Sequence, residues 1–347
     1  MRKVEEYYEI VSSERYSWGV EIILGAPRRV SRGYKEALYR DLVRRGCKPF
    51  MRPTEKGLTL RIVTDKDRGQ ALLKGALLAA ATIVTVYLSG EWLASAPGPR
   101  GAGFSWSPYG YLVGLLLPLI IHELGHWSVM RRYNVPSSIP YLIPAPPLQM
   151  GFLGTLGAVI NLRWLPPSRD SLALMAVMGP LAGFIASIPF TIIGIKASIL
   201  EPSSAVPGAA QLNLAPAAFI ILASIYAPEG GGVLLLSPLA YASYVVLLVT
   251  FLNLIPVAML DGGHIIRSAV GERTHRAISQ ASILVLLIAS MFYPAFFMFA
   301  LLAMVIYFLA RGRHPGPAMD EGGMGPLGVF SIIVYGVLLA LTVPIPV

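Results

Sequence analysis

The sequence predicts a polytopic α-helical membrane protein. It should have about six to seven transmembrane helices, a small N-terminal soluble α/β domain, and a short re-entrant or hairpin segment between spans 2 and 3. Three observations lead there. Of the 347 residues, 55% are hydrophobic and only 14% charged, against roughly 25% charged in soluble domains. Apolar stretches recur that approach the ~20 residues needed to cross a hydrocarbon core. Most of the charge lies in the first 70 residues and in short segments beside the apolar stretches.

Residues 1–70 read as a soluble cytoplasmic α/β domain and 71–347 as the membrane domain. In the first part, "SWGVEIILGAP" looks like a strand ending in a turn. "RGYKEALYRDLVRRG" has helical spacing, with Gly46 as its stop. "KGLTLRIVTDKD" alternates as a strand does. A docking or regulatory appendage is the plain reading of this domain. Seven stretches read as spans: 71–90, 109–127, 171–195, 241–260, 278–293, 295–310 and 327–346. Lys74 can snorkel to the interface, and Pro294 separates the fifth span from the sixth. The stretch 214–228 is apolar but short, and either spans or lies at the interface. Segment 131–170 is too rich in proline and glycine to span, although "GTLGAVINLRW" within it suits an extended strand.

The formal net charge of +9 does not point to nucleic acid, because most of the excess flanks apolar spans, where it sets topology. With 214–228 non-spanning, the N-terminal domain shares a side with Arg131, Arg132, the segment 267–276, Arg311 and Arg313. The other side holds little beyond Arg100, Lys196 and Glu201. That asymmetry makes the shared side cytoplasmic. Cys47 stands alone, which excludes an internal disulfide framework and a thiolate metal cluster. The first residues, "MRKVEEYYEIVSS", lack the apolar core of a signal peptide.

The second span carries His122-Glu123-Leu124-Gly125-His126, an H-E-x-x-H pattern. Residues four apart share a helix face, so both imidazoles can reach one zinc ion. Glu123 lies beside them as a base able to take a proton from water at the ion and pass it to a leaving amine. Two core histidines bonded to carbonyls would be the bland reading, but ionisable groups inside a span are expensive and usually functional. A catalytic zinc needs a third protein ligand. The position six beyond His126 is Arg132, so no third histidine follows there. Asp261, at the end of the fourth span and next to Gly262 and Gly263, is the outstanding candidate; a helix cap is its alternative role.

With these residues in view, the chain resembles the site-2 proteases, the intramembrane zinc metalloproteases of peptidase family M50. The resemblance rests on the H-E-x-x-H pattern, on Asn253 and Pro256, on Leu260-Asp261-Gly262-Gly263-His264, and on the "GPLAGF" of Gly179–Phe184. It covers a core of about 107–270. With no PDZ pattern and a soluble N-terminal domain, the chain looks most like the archaeal and chloroplast-like branch. The resemblance implies one Zn2+ held by His122, His126 and Asp261, with Glu123 as the catalytic base. It implies a transmembrane protein substrate cleaved within the lipid bilayer, near the cytoplasmic face. The setting would be the plasma membrane of a prokaryote. Asn253, about two turns up the same helix as Asp261, would contact substrate or intermediate; an interhelical hydrogen bond is its other reading. Gly154 and Gly157, in "MGFLGTLGAVI", would belong to a loop offering an edge to a substrate strand, or would simply pack close to a helix. His264 is expected not to be a ligand, and His275 and His314 to be solvated.

For Asp261 to reach His122 and His126, the second and fourth spans must run the same way, with one crossing between them. That again makes 214–228 interfacial or external. A polytopic transporter would spread its polar groups across several spans, whereas here they gather at one depth. A catalytically inactive metal-binding protein would have no need of Glu123.

Overall fold

A computed structural model describes residues 2–28, 33–64, 72–95, 103–202 and 212–347. Arg100, the first residue of the first predicted span and the boundary drawn at 70/71 lie outside the described residues.

The N-terminal part begins with a short helix, α1 (Arg2–Glu5), followed by β1 (Tyr8–Tyr16) and β2 (Gly19–Pro27). Helix α2 (Tyr34–Val43) comes next, then β3 (Cys47–Thr54) and β4 (Gly57–Thr64). The strands form one antiparallel sheet in the order β1-β2-β4-β3. Leu38, Tyr39 and Leu42 of α2 pack on Ile22, Leu24, Met51 and Leu60 of the sheet. Gly46 follows α2 at φ +74°, a left-handed conformation that costs glycine little, and its N–H donates to Val43 O.

The open edge of β3 is covered by a segment more than 260 residues away. Met51 N–H donates to Ala318 O at 2.7 Å, and Asp320 N–H donates back to Met51 O at 3.3 Å. Met51 and Met319 form a parallel bridge. Ala318 and Met319 are fully enclosed in the N-terminal core, with Trp164 and Leu165 packed beside them. An uncovered edge strand invites foreign pairing, and this strap blocks it.

The helical part comprises α3 (Leu72–Ala94), α4 (Pro108–Arg132), α5 (Arg169–Ala197), α6 (Ala217–Tyr226), α7 (Pro238–Leu254), α8 (Asp261–Ala269), α9 (Glu272–Phe292), α10 (Phe296–Leu309) and α11 (Pro326–Thr342). Among the described residues, α3, α4, α5 and α9 are long and apolar enough to cross a membrane; α7, α10 and α11 are shorter apolar helices. α6 has ten residues, so at 1.5 Å per residue it covers about half of a ~30 Å hydrocarbon core.

Helices α4 and α5 are antiparallel. Trp106, just before α4, donates its indole N–H to Ala197 O at the end of α5. Ser237, the N-cap of α7, donates to Gly194 O near the same end of α5. α4 and α7 therefore start at one end and run in the same direction. Two-stranded pairs complete the rest: β5 (Tyr141–Pro144) with β6 (Thr155–Val159), β7 (Ile199–Glu201) with β9 (Val233–Leu235), and β8 (Leu214–Pro216) with β10 (Pro344–Pro346). The β5–β6 hairpin lies between α4 and α5, where the sequence suggests a short hairpin or re-entrant segment.

The fourth predicted span is corrected. The sequence suggests a helix running to residue 260, with Asn253 and Asp261 on it together. Instead α7 stops at Leu254, and Asp261 opens the separate helix α8. Pro256 lacks an N–H and pushes Ile255 into an extended conformation (φ −60°, ψ 131°), which ends the helix. Ala258 then takes φ +46° in the link to α8.

Asp320 ties the strap to α5 and α8. Its carboxylate accepts from Arg267 of α8 at 2.6 Å and from Arg169 of α5 at 2.9 Å. Burial alone would raise its pKa, but the bond to Arg267 and the charges of Arg267, Arg169 and Arg52 outweigh that and hold it below the usual value of 3.8. A folded-state pKa below the unfolded one contributes stability that is present above about pH 4 and lost as pH falls through the folded value. Amide exchange at Met51, Ala318, Met319 and Asp320 should therefore accelerate below about pH 4, and Asp320→Asn should remove that pH dependence.

Candidate metal centre

His122 and His126 lie one turn apart on α4, their Nε2 atoms separated by 3.1 Å. Asp261 brings Oδ2 to 3.3 Å from His122 Nε2 and Oδ1 to 3.4 Å from His126 Nε2. Adjacent donors on a tetrahedral zinc with ligand bonds of 2.0–2.1 Å sit about 3.3 Å apart, so this triangle has the right size. Both histidines are buried, and His122, His126 and Asp261 together form a group able to hold a metal ion. His126 Nδ1 lies 2.7 Å from Met175 O. A carbonyl can only accept, so Nδ1 carries the proton and Nε2 is left as an electron-pair donor facing the site. Three electron-pair donors converging in a buried place fit a divalent cation.

Glycine makes this arrangement possible. A Cβ on Gly179 of α5 would lie 2.1 Å from His126 Nε2, and one on Gly183 would lie 2.9 Å from His122 Cβ. The "GPLAGF" stretch thus opens a groove in α5 for both imidazoles. The glycines after Asp261 serve the other side. A Cβ on Gly262 would meet Leu254 O at 2.1 Å, so the first turn of α8 folds back against the end of α7 only because none is present.

Glu123 is half-buried beside His122, near enough to His126 and Asp261 to feel their charges. Asn253 is half-buried one residue before the end of α7, on a different helix from Asp261. Gly154 (φ +82°) packs against α3: its carbonyl accepts from Thr85 Oγ1 at 2.6 Å, and a Cβ would meet Val86 Cα at 2.8 Å. Gly157 (φ +97°) lies in β6 with open space where its Cβ would be.

The histidines expected to be solvated are buried. His275 is 1% exposed and His314 is 2% exposed. His314 Nδ1 accepts from Gly316 N–H at 2.9 Å, which leaves Nε2–H to donate to His264 Nδ1 at 2.6 Å. With Nδ1 accepting that proton, a neutral His264 carries its own on Nε2. Burial pushes His264 down to about 4 and lowers His314 as well, so both are neutral near pH 7. His275 stacks edge-on against His314, with ring centroids 5.3 Å apart. The basic residues around His275 and His314 suggest solvent in the sequence, whereas the two rings pack on each other and His314 bonds to His264 of α8. Met175 O carries no sequence signal, since any residue could supply that carbonyl.

Comparison with known proteins agrees with this geometry. Residues 110–301 match the family model for peptidase family M50. "Probable zinc metalloprotease EGY2, chloroplastic" from Arabidopsis thaliana is 30% identical over 249 residues, covering 68% of this chain and 41% of that protein. "Probable zinc metalloprotease EGY1, chloroplastic" from the same plant is 30% identical over 168 residues, 46% of this chain and 29% of that protein. "Probable zinc metalloprotease EGY3, chloroplastic" from Oryza sativa subsp. indica is 26% identical over 295 residues, 77% of this chain and 47% of that protein. The chain spans less than half the length of these relatives. No solved structure matches. The matched segment contains the H-E-x-x-H helix, the glycines that seat it and Asp261, and the chain belongs to peptidase family M50, the site-2 protease family.

Proposed function

We propose that this chain is an intramembrane zinc metalloprotease that hydrolyses peptide bonds within or near transmembrane helices. The observation that carries the reading is the meeting of His122, His126 and Asp261 from two helices, with Glu123 beside them. When bound, zinc supplies Lewis-acid polarisation of a carbonyl and lowers the pKa of water. His122 and His126 donate through Nε2, and Met175 O fixes the His126 tautomer. Glu123 holds the proton taken from the attacking water and returns it to the leaving amine. Asn253 is assigned to contact with substrate or intermediate. Strand β6, where Leu156 is 68% exposed, offers an edge to a locally unwound substrate, with Gly157 leaving room beside it. Gly154 contributes by holding the hairpin against α3.

Seven spans are proposed: α3, α4, α5, α7, α9, α10 and α11, with α6 external. The N-terminal domain and the metal centre then share a side, because the strap joins that domain to α8. The excess of Arg131, Arg132, Arg311 and Arg313 on that side makes it cytoplasmic. A prokaryotic plasma membrane is the setting proposed, while the named relatives are chloroplastic. The test uses the full chain in nanodiscs with a helical membrane substrate. Chelation should abolish cleavage and added zinc should restore it; cleavage that resists complete removal of metal would refute the reading.

A further inference from the structure

A cavity of about 770 Å³ lies between β3 of the N-terminal sheet and the ends of the membrane helices. It is lined by Arg52, Arg169, Arg267 and Arg313, with Glu272 and Asp320 as its acidic residues. Four guanidiniums face two carboxylates, and those are already engaged: Asp320 holds both Arg169 and Arg267, and Glu272 lies 3.5 Å from Arg276. Among the described residues, neither Arg52 nor Arg313 has a carboxylate within 4 Å. Arg52 is nonetheless fixed. Its guanidinium donates to Met51 O, Ala318 O and Pro315 O and stacks on Phe50 at 3.8 Å. Burial, with repulsion from Arg267 and Arg169, outweighs the attraction of Asp320 and pushes its pKa down to about 10. A preformed cluster of guanidiniums with uncompensated charge suits a multiply charged oxyanion, for which the planar fork of arginine is matched.

We propose that this cavity binds a phosphate-bearing anion, held by Arg52 and Arg313 at the mouth and by Arg169 and Arg267 behind them. The site sits where three parts of the protein meet. Arg52 belongs to the N-terminal sheet and Arg313 to the strap. Arg267 and the lining residue Met259 flank Asp261 in sequence. His314, also in the lining, bonds His264 on the helix that begins with Asp261. An occupant would therefore clamp the N-terminal domain and the strap to α8.

The test needs no proteolysis, so its failure would leave the zinc reading standing. The full chain is placed in phosphatidylcholine nanodiscs and titrated calorimetrically with inorganic triphosphate. In a second arm the thermal midpoint is compared between nanodiscs with and without phosphatidic acid. A free anion as ligand gives saturable one-site binding to triphosphate, weakened about tenfold or more, ~1.4 kcal/mol, in Arg313→Gln and in Arg52→Gln. A lipid headgroup as ligand gives no response to triphosphate but a midpoint raised by phosphatidic acid in the wild type and not in Arg313→Gln. Arg313 is exposed, so its replacement should melt as the wild type does without ligand. No response in either arm, or a response that survives both replacements, overturns the proposal.

Discussion

Replacing Gly179 with alanine should strip the metal from the protein while leaving the helices in place. The added Cβ would lie 2.1 Å from His126 Nε2 and within 2.5 Å of two further ring atoms. The ring has nowhere to retreat without giving up its 2.7 Å bond to Met175 O, and with it the tautomer that aims Nε2 at the site. Loss of an outer partner of a ligand typically costs 10–100-fold in metal affinity, and displacing the ligand itself should cost at least the upper figure, roughly 100-fold. Gly183→Ala should cost less, because its Cβ would meet His122 Cβ at 2.9 Å rather than a donor atom. Gly336→Ala in α11, with open space where its Cβ would be, is the control and should leave zinc content unchanged. Metal analysis after dialysis against a weak chelator orders the three; equal zinc in Gly179→Ala and wild type would refute this packing.

Glu123→Gln should separate binding from chemistry. The amide keeps the size of the side chain and is not among the three donors that converge, so zinc should stay bound. It cannot accept a proton near neutral pH, so turnover should fall by roughly 10²–10⁴-fold, the usual contribution of a positioned acid–base. The loss should appear in kcat rather than in KM, since the removed interaction is made in the transition state. A variant that cleaves at wild-type rate would move the base elsewhere; one that loses zinc as well would make Glu123 a ligand instead.

The parts of this site that repeat a helical period are legible in the sequence. His122 and His126 four apart can only share a face once the segment is a helix, and its apolar length makes it one. Asp261 is legible through its glycines. The break ahead of it is harder to see: Pro256 is visible, yet apolar residues run through it to Leu260, so hydropathy alone joins α7 to α8. Long-range contacts leave no such mark. Nothing near His314 indicates a partner 50 residues earlier, and its arginine neighbours argue for solvent. Nothing in Ala318-Met319-Asp320 announces an edge-covering strap for β3, because the pairing uses backbone groups that every sequence has. The exposed hydrophobics of α9 and α10, such as Met291 (81%) and Leu309 (79%), lie in runs that hydropathy alone picks out.

In the proposed site one metal ion joins α4 to α8 through Asp261. X-ray absorption at the zinc edge, with metal analysis, tests it on wild type and Asp261→Ala. One zinc is expected per wild-type chain, bound by two imidazoles with oxygen as the remaining donors, with a substantial loss of zinc from Asp261→Ala. An Asp261→Ala protein that retains full zinc with an unchanged spectrum would contradict it.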